Sequence, residues 1–178
     1  PYYLYKQIQE FFNIIDLPSD LKNIPKNIDQ LLIIHPKDLT VETLYAIDQF
    51  VMSGKGVTFF VDPFSESEGD LLNSINQTNI PSSSLNVLFE KWGFNIIPGM
   101  IIGDIVNGRK VSLGSTNNQK IVTYILWLAI QENLLSKEDI ITNNLDYIFL
   151  KSAGSIENLR TNNSLEIQPL IRSSQDAM

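Results

Sequence analysis

The sequence predicts an α/β fold of the Rossmann-like or flavodoxin-like kind. Residues 1–107 would form a mainly parallel sheet flanked by helices, and residues 108–178 a β-rich C-terminal extension of the same domain. Three observations carry this. Leu44, Ile47, Phe50 and Val51 recur at the three- and four-residue spacing of an amphipathic helix, and the pattern stops at Gly54. Val57 to Val61 follows at once as an apolar run too short for a helix, closed by Asp62-Pro63. Leu31 to Ile34 is an equally apolar run ahead of the helix, so Leu31 to Val61 has the length of a strand, helix, strand crossover. Strands apolar on both faces belong in a buried parallel sheet.

The remaining elements follow in order. Tyr5, Ile8, Phe11 and Phe12 share one helical face within Tyr2 to Phe12, and Asn13 to Leu17 suits a short strand before Pro18-Ser19 turns the chain. Thr40 is the natural N-cap of the crossover helix, with Thr43 where a full capping box has glutamate. From Pro63 to Pro81 the chain turns polar around Leu71, Leu72 and Ile75, which predicts a loop with a short helix. Ser82 to Ser84 would cap a helix from Leu85 to Trp92, ended by Gly93. Asn95 to Gly103 suits a strand pair broken at Pro98-Gly99, and Asn107-Gly108 a hairpin turn between Ile101 to Val106 and Lys110 to Leu113. After Gly114, Tyr124 to Ile130, Asp146 to Leu150 and Leu165 to Ile171 read as strands separated by Asn-rich turns.

Composition narrows the function. A chain of 178 residues suits one domain with an ample core. Its 13 basic against 20 acidic residues give a net charge of −7, which argues against nucleic acid or an anionic membrane as partner. Lys22 and Lys26 read as solvated loop charges. The absence of cysteine removes disulfides, thiolate metal sites and cysteine nucleophiles, and is compatible with either redox compartment. The chain starts at Pro1 without a signal peptide, as a piece of a longer protein would. Ile121 to Ile130 is its most hydrophobic window, short of the roughly 20 residues that span a bilayer, and suits a buried strand.

No cofactor or metal is expected. Gly54-Lys55-Gly56 ends a helix and opens a strand, the reverse of the order a phosphate loop needs. Asp38, Glu42 and Asp48 could suggest a cation site, but Asp38 beside Thr40 reads as favourable charge at a helix N-terminus. Trp92 and Trp127 suit core anchors better than sugar platforms.

The candidate ligand site is the edge where the crossover strands end. His35 and Asp62 each follow the last apolar residue of a strand, and parallel neighbours bring such ends together. His35, Pro36 and Lys37 on one segment, and Asp62, Pro63, Phe64 and Ser65 on the other, would line a small crevice with Glu66 in the adjoining loop. His35 is the one side chain there whose ordinary titration lies near neutrality. The competing reading is structural: each of the two polar residues precedes a proline, where short polar side chains stop strands and cap turns. No catalytic residue is assigned. Ser115-Thr116, Ser152 to Ser155 and Ser173-Ser174 lie outside any nucleophile elbow, and a serine triad would have to use the lone His35. A soluble hydrolase or transferase built on His35 and Asp62, or an assembly module pairing through an exposed sheet edge, remain the alternatives.

A resemblance adds an identity that these residues do not spell out. The span Ile28 to Pro63 resembles the auxiliary component of the ABC-type transport systems associated with gliding motility. The likeness rests on the apolar strand ending in His35-Pro36-Lys37, the Asp38-Leu39 helix entry, the Tyr45 to Phe50 core, the glycine turn and the Val61-Asp62-Pro63 terminus. Leu88 to Gly93 and Ile101 to Asp104 are similar to the family's next helix and strand, so the likeness covers about half the chain and weakens from Gly108 onward. It implies an architecture like class I glutamine amidotransferases without their cysteine nucleophile. It also implies a non-catalytic extracytoplasmic, or periplasmic, domain of an inner-membrane protein whose anchoring helices lie outside this chain. The implied partners are the membrane and ATPase subunits of the same system, with a small ligand possible at the crevice.

Overall fold

A computed structural model describes residues 2–74, 79–114, 119–159 and 166–178. The elements run α1 (Tyr2–Gln9), β1 (Gln30–Ile34), α2 (Val41–Met52), β2 (Gly56–Phe60), α3 (Glu66–Ser74), α4 (Asn86–Trp92), β3 (Phe94–Asn95), β4 (Gly108–Leu113), β5 (Lys120–Gln131), β6 (Tyr147–Lys151) and β7 (Glu157–Asn158). Two compact units divide the chain: Pro1–Leu32 with Asp38–Thr58, and Ile33–Lys37 with Phe59–Met178.

The first unit is organised by α2. Thr40 caps it, its side chain accepting the Thr43 N–H at 3.2 Å, and the helix ends at Ser53, whose N–H returns to the Gln49 and Phe50 carbonyls. Thr43, Ala46, Ile47 and Phe50 form the buried stripe. Thr43 is polar, so its burial needs acceptors. Its hydroxyl lies 3.1 Å from the Ser19 carbonyl and 2.9 Å from that of Leu21, which ties the preceding loop to the helix.

In the second unit Phe59, Phe89, Trp92 and Phe94 form an aromatic cluster, with Phe89 and Phe94 stacked at 4.7 Å and Phe59 edge-on to Phe89 at 5.6 Å. Gly93 ends α4 at φ 92°, a left-handed conformation that glycine takes without Cβ strain. The antiparallel sheet β4-β5-β6 buries Leu128 and Ile130, which pack with Leu135, Ile148, Leu150 and Ile102. Period-two alternation turns Tyr147, Phe149 and Lys151 outward. Where β4 meets β5 the register shifts at Gly108-Arg109, and a Cβ on Gly108 would come within 2.6 Å of the Thr123 side chain.

β1 and β2 pair as a two-stranded sheet. The Gln30 side chain occupies the space beside Gly56, while the His35 N–H donates to the Phe60 carbonyl at 2.8 Å, so the strands run in the same direction. The helix between them is the one the apolar spacing predicts.

The expected architecture is otherwise overturned. The described residues form two two-stranded sheets and one three-stranded sheet, and β3-β7 and β4-β5-β6 are antiparallel. This is not a mainly parallel Rossmann-like, flavodoxin-like or amidotransferase-like sheet flanked by helices. One reason is that an apolar run does not reveal whether both of its faces are covered. Leu32, Ile34 and Phe60 are about half exposed, so β1 and β2 are not strands buried on both sides. Another is local competition for backbone donors. Residues 13–17 form no strand, and from Asn95 to Gly103 only Asn95 belongs to one. The expected strand Ile101 to Val106 instead folds back on Asp104, whose carboxylate takes the N–H groups of Val106 and Asn107. The hairpin therefore joins β4 to β5. Residues 166–171 carry only a single bridge, Leu135 to Ile171, and Ile75 and Leu165 lie outside the described residues.

Candidate functional site

The ends of β1 and β2 meet at His35. Its φ of 45° ends the strand, because the left-handed region cannot continue a ladder. Its ring then lies among groups from three segments. Nδ1 is 2.9 Å from Ser83 Oγ and 3.1 Å from Asp62 Oδ2, and Nε2 is 2.8 Å from Glu68 Oε2. Lys37 reaches the same Glu68 oxygen at 2.9 Å.

Ser83 is the buried hub of this cluster. Its Oγ accepts the Asp62 N–H at 2.9 Å, and its own N–H donates to the Asp62 carbonyl at 2.8 Å. The Ser83 hydroxyl proton is thus free for His35 Nδ1. With a neutral ring, Ser83 donates to Nδ1 and Nε2–H donates to Glu68. With an imidazolium, Nδ1–H turns to Asp62 while Nε2–H stays on Glu68. Either way both ring nitrogens are engaged. The Lys37 ammonium, then His35, holds the Glu68 carboxyl below its ordinary range, outweighing burial, which acts the other way.

The structure brings His35, Lys37 and Asp62 together and gives the other expected residues backbone or packing roles. The Pro36 carbonyl accepts the Ser84 N–H, and that of Pro63 accepts the Gly99 N–H. The Phe64 ring packs beside Gly69. Ser65 stands at the start of α3, its Oγ 3.4 Å from the Glu68 N–H, and its own N–H donates to the Pro81 carbonyl. Ser82 to Ser84 do not cap α4, whose N-cap Leu85 makes no side-chain bond; Ser83 and Ser84 instead hold Asp62 and Pro36.

Glu68 and Ser83 are absent from the sequence reading of the site. The signal for Glu68 was Ser65-x-x-Glu68, a capping-box spacing in which the glutamate would return to the cap. Here that carboxylate is diverted to His35 and Lys37. Two residues earlier on α3, Glu66 points the other way and accepts from Trp127 Nε1 at 2.7 Å and Ser152 Oγ at 2.5 Å. The hydroxyl cluster Ser152 to Ser155 is thereby tied to structure at Ser152, Ser174 serves Asp104, and Ser115-Thr116 lies outside the described residues.

Chemically, the His35 cluster is a hydrogen-bonded network joined to the Lys37–Glu68 ion pair. Its two carboxylates sit at opposite ring nitrogens, and among the described residues no group of three or more His, Asp or Glu side chains is arranged to hold a metal ion. No described helix is long and apolar enough to cross a membrane.

Neither the curated proteins nor the solved structures offer a match to this chain. One family model, described as an ABC-type uncharacterized transport system, matches residues 1–178. Matched along its whole length, the chain belongs to this family of ABC-type transport system auxiliary components.

Proposed function

We propose that this chain is a non-catalytic, extracytoplasmic domain of a membrane-anchored auxiliary subunit in an ABC-type transport system of the gliding-motility kind. It engages the membrane and ATPase subunits of that system, and any small ligand at the strand ends would contact His35 to Lys37 and Asp62 to Ser65. Ser83, His35 and Glu68 are linked in the order of a serine, histidine and acid relay. The observation that carries the non-catalytic reading is the burial of Ser83: its Oγ is held inside the fold by the Asp62 N–H and is not presented to a substrate as a nucleophile. The chain has no cysteine to act as a nucleophile instead.

Screening the purified chain for hydrolase and ATPase turnover tests this. No turnover is expected, and an activity abolished by His35→Ala would overturn the proposal. Anchoring is tested on flanking sequence: apolar spans of about 20 residues support it, and soluble flanks on both sides sink it.

A further inference from the structure

Three of the chain's 13 basic residues, Lys22, Lys26 and Lys55, line one groove of about 410 Å³ in the first unit, between residues 22–26 and α2. Among the described residues none of the 20 acidic side chains lines it, although the protein carries a net charge of −7. The charged residues that line the groove are thus of one sign, opposite to that of the net charge. The cations are also held differently. Lys55 is fixed: its ammonium donates to the Lys26 and Ile28 carbonyls and lies 5.4 Å from the centre of the Phe50 ring. Lys22 and Lys26 are exposed, and neither has a carboxylate partner among the described residues. Behind them Phe50 is buried and apolar, Tyr45 presents an exposed ring, and Gln49 lines the groove with its amide donating to the Asp48 carboxylate at 3.1 Å. Roughly 300–1,000 Å³ is the usual size for a small-molecule site, and apolar walls with a few convergent polar groups are its usual make-up.

We propose that this groove binds a small organic anion, a phosphate or carboxylate group carried on an apolar ring or short chain. The anionic group sits between Lys22 and Lys26, with Lys55 contributing field from behind. The apolar body lies against Tyr45 and Phe50. This site is independent of the His35 cluster.

The test is an amide-detected NMR titration of the 178-residue chain with phenyl phosphate, alongside inorganic phosphate and phenol. Saturable shifts confined to residues 22–26 and 45–55 are expected, with phenyl phosphate binding tighter than either half-probe. The Lys22→Ala/Lys26→Ala double variant should bind it about tenfold more weakly, the effect of losing charge-assisted hydrogen bonds. Tyr45→Ala should weaken phenyl phosphate and leave inorganic phosphate unchanged. All three side chains are exposed, so an unchanged thermal midpoint verifies the fold of each variant. Absence of saturable shifts, or unchanged affinity in the double variant, overturns the proposal. Shifts confined to His35 to Lys37 and Asp62 to Ser65 would also overturn it, while supporting a ligand at the strand ends.

Discussion

Asp104→Asn should destabilise the second unit and reduce its acid sensitivity. Asp104 is fully buried, and its two oxygens accept from the Val106 N–H at 2.9 Å, the Asn107 N–H at 3.0 Å, the Asn107 side-chain amide at 2.8 Å and the Ser174 N–H and hydroxyl, each at 2.8 Å. Burial alone would raise its pKa. The bonds from the Asn107 amide, the Ser174 and Asn107 N–H groups and the Ser174 hydroxyl win, and lower it from 3.8 to about 2. Because the folded value lies below the unfolded one, the stabilisation is fully present above pH 3.8 and is lost as pH falls toward 2. That difference corresponds to about 2 kcal/mol at neutral pH. Asparagine keeps the shape but turns an NH₂ group toward donors and removes the charge, for a cost of about 2–4 kcal/mol. The same change should loosen the C-terminal segment, whose Met178 exchanges backbone bonds with Gly103, both at 2.8 Å. Urea unfolding followed by tryptophan fluorescence from pH 7 to pH 2, with hydrogen exchange at residues 172–178, reads both effects. A variant as stable as the parent at pH 7, or one whose stability still falls by the same amount between pH 4 and pH 2, would refute the reasoning.

Thr40→Ala removes the side-chain acceptor of the Thr43 N–H at the start of α2 and should cost about 1 kcal/mol, measured as a lower urea midpoint with an unchanged slope; a shift under about 0.3 kcal/mol would deny the cap its role. Lys37→Met removes the largest influence holding the Glu68 carboxyl low, so carbon-detected NMR should show the Glu68 titration moving up toward the ordinary range. An unmoved titration would mean that His35 alone sets it.

What the sequence determined by itself was local. Thr40, the apolar stripe through Ala46, Ile47 and Phe50, and the stop at Gly54 define α2 from spacing and capping within a dozen residues, and the apolar runs on either side define β1 and β2. The convergence of His35 with Asp62 was also legible, since parallel neighbours bring equivalent ends to one edge. Tertiary structure decided what depends on distant partners. Ser83 and Glu68 reach His35 across separations of 48 and 33 residues, and no periodicity encodes such a meeting. The left-handed turn at His35, next to a proline, aims the ring at them. Sheet order was equally non-local. Val122 pairs with Val111 and Leu128 with Leu150, a register set by which residues of β5 are buried against its neighbours and not by the apolar runs of the strands taken singly. Between Ile101 and Val106 the backbone donors go to distant or side-chain acceptors, Ile102 to the Ala153 carbonyl, Gly103 to Met178, Asp104 to Ile125 and Val106 to the Asp104 carboxylate, which also clamps Ser174.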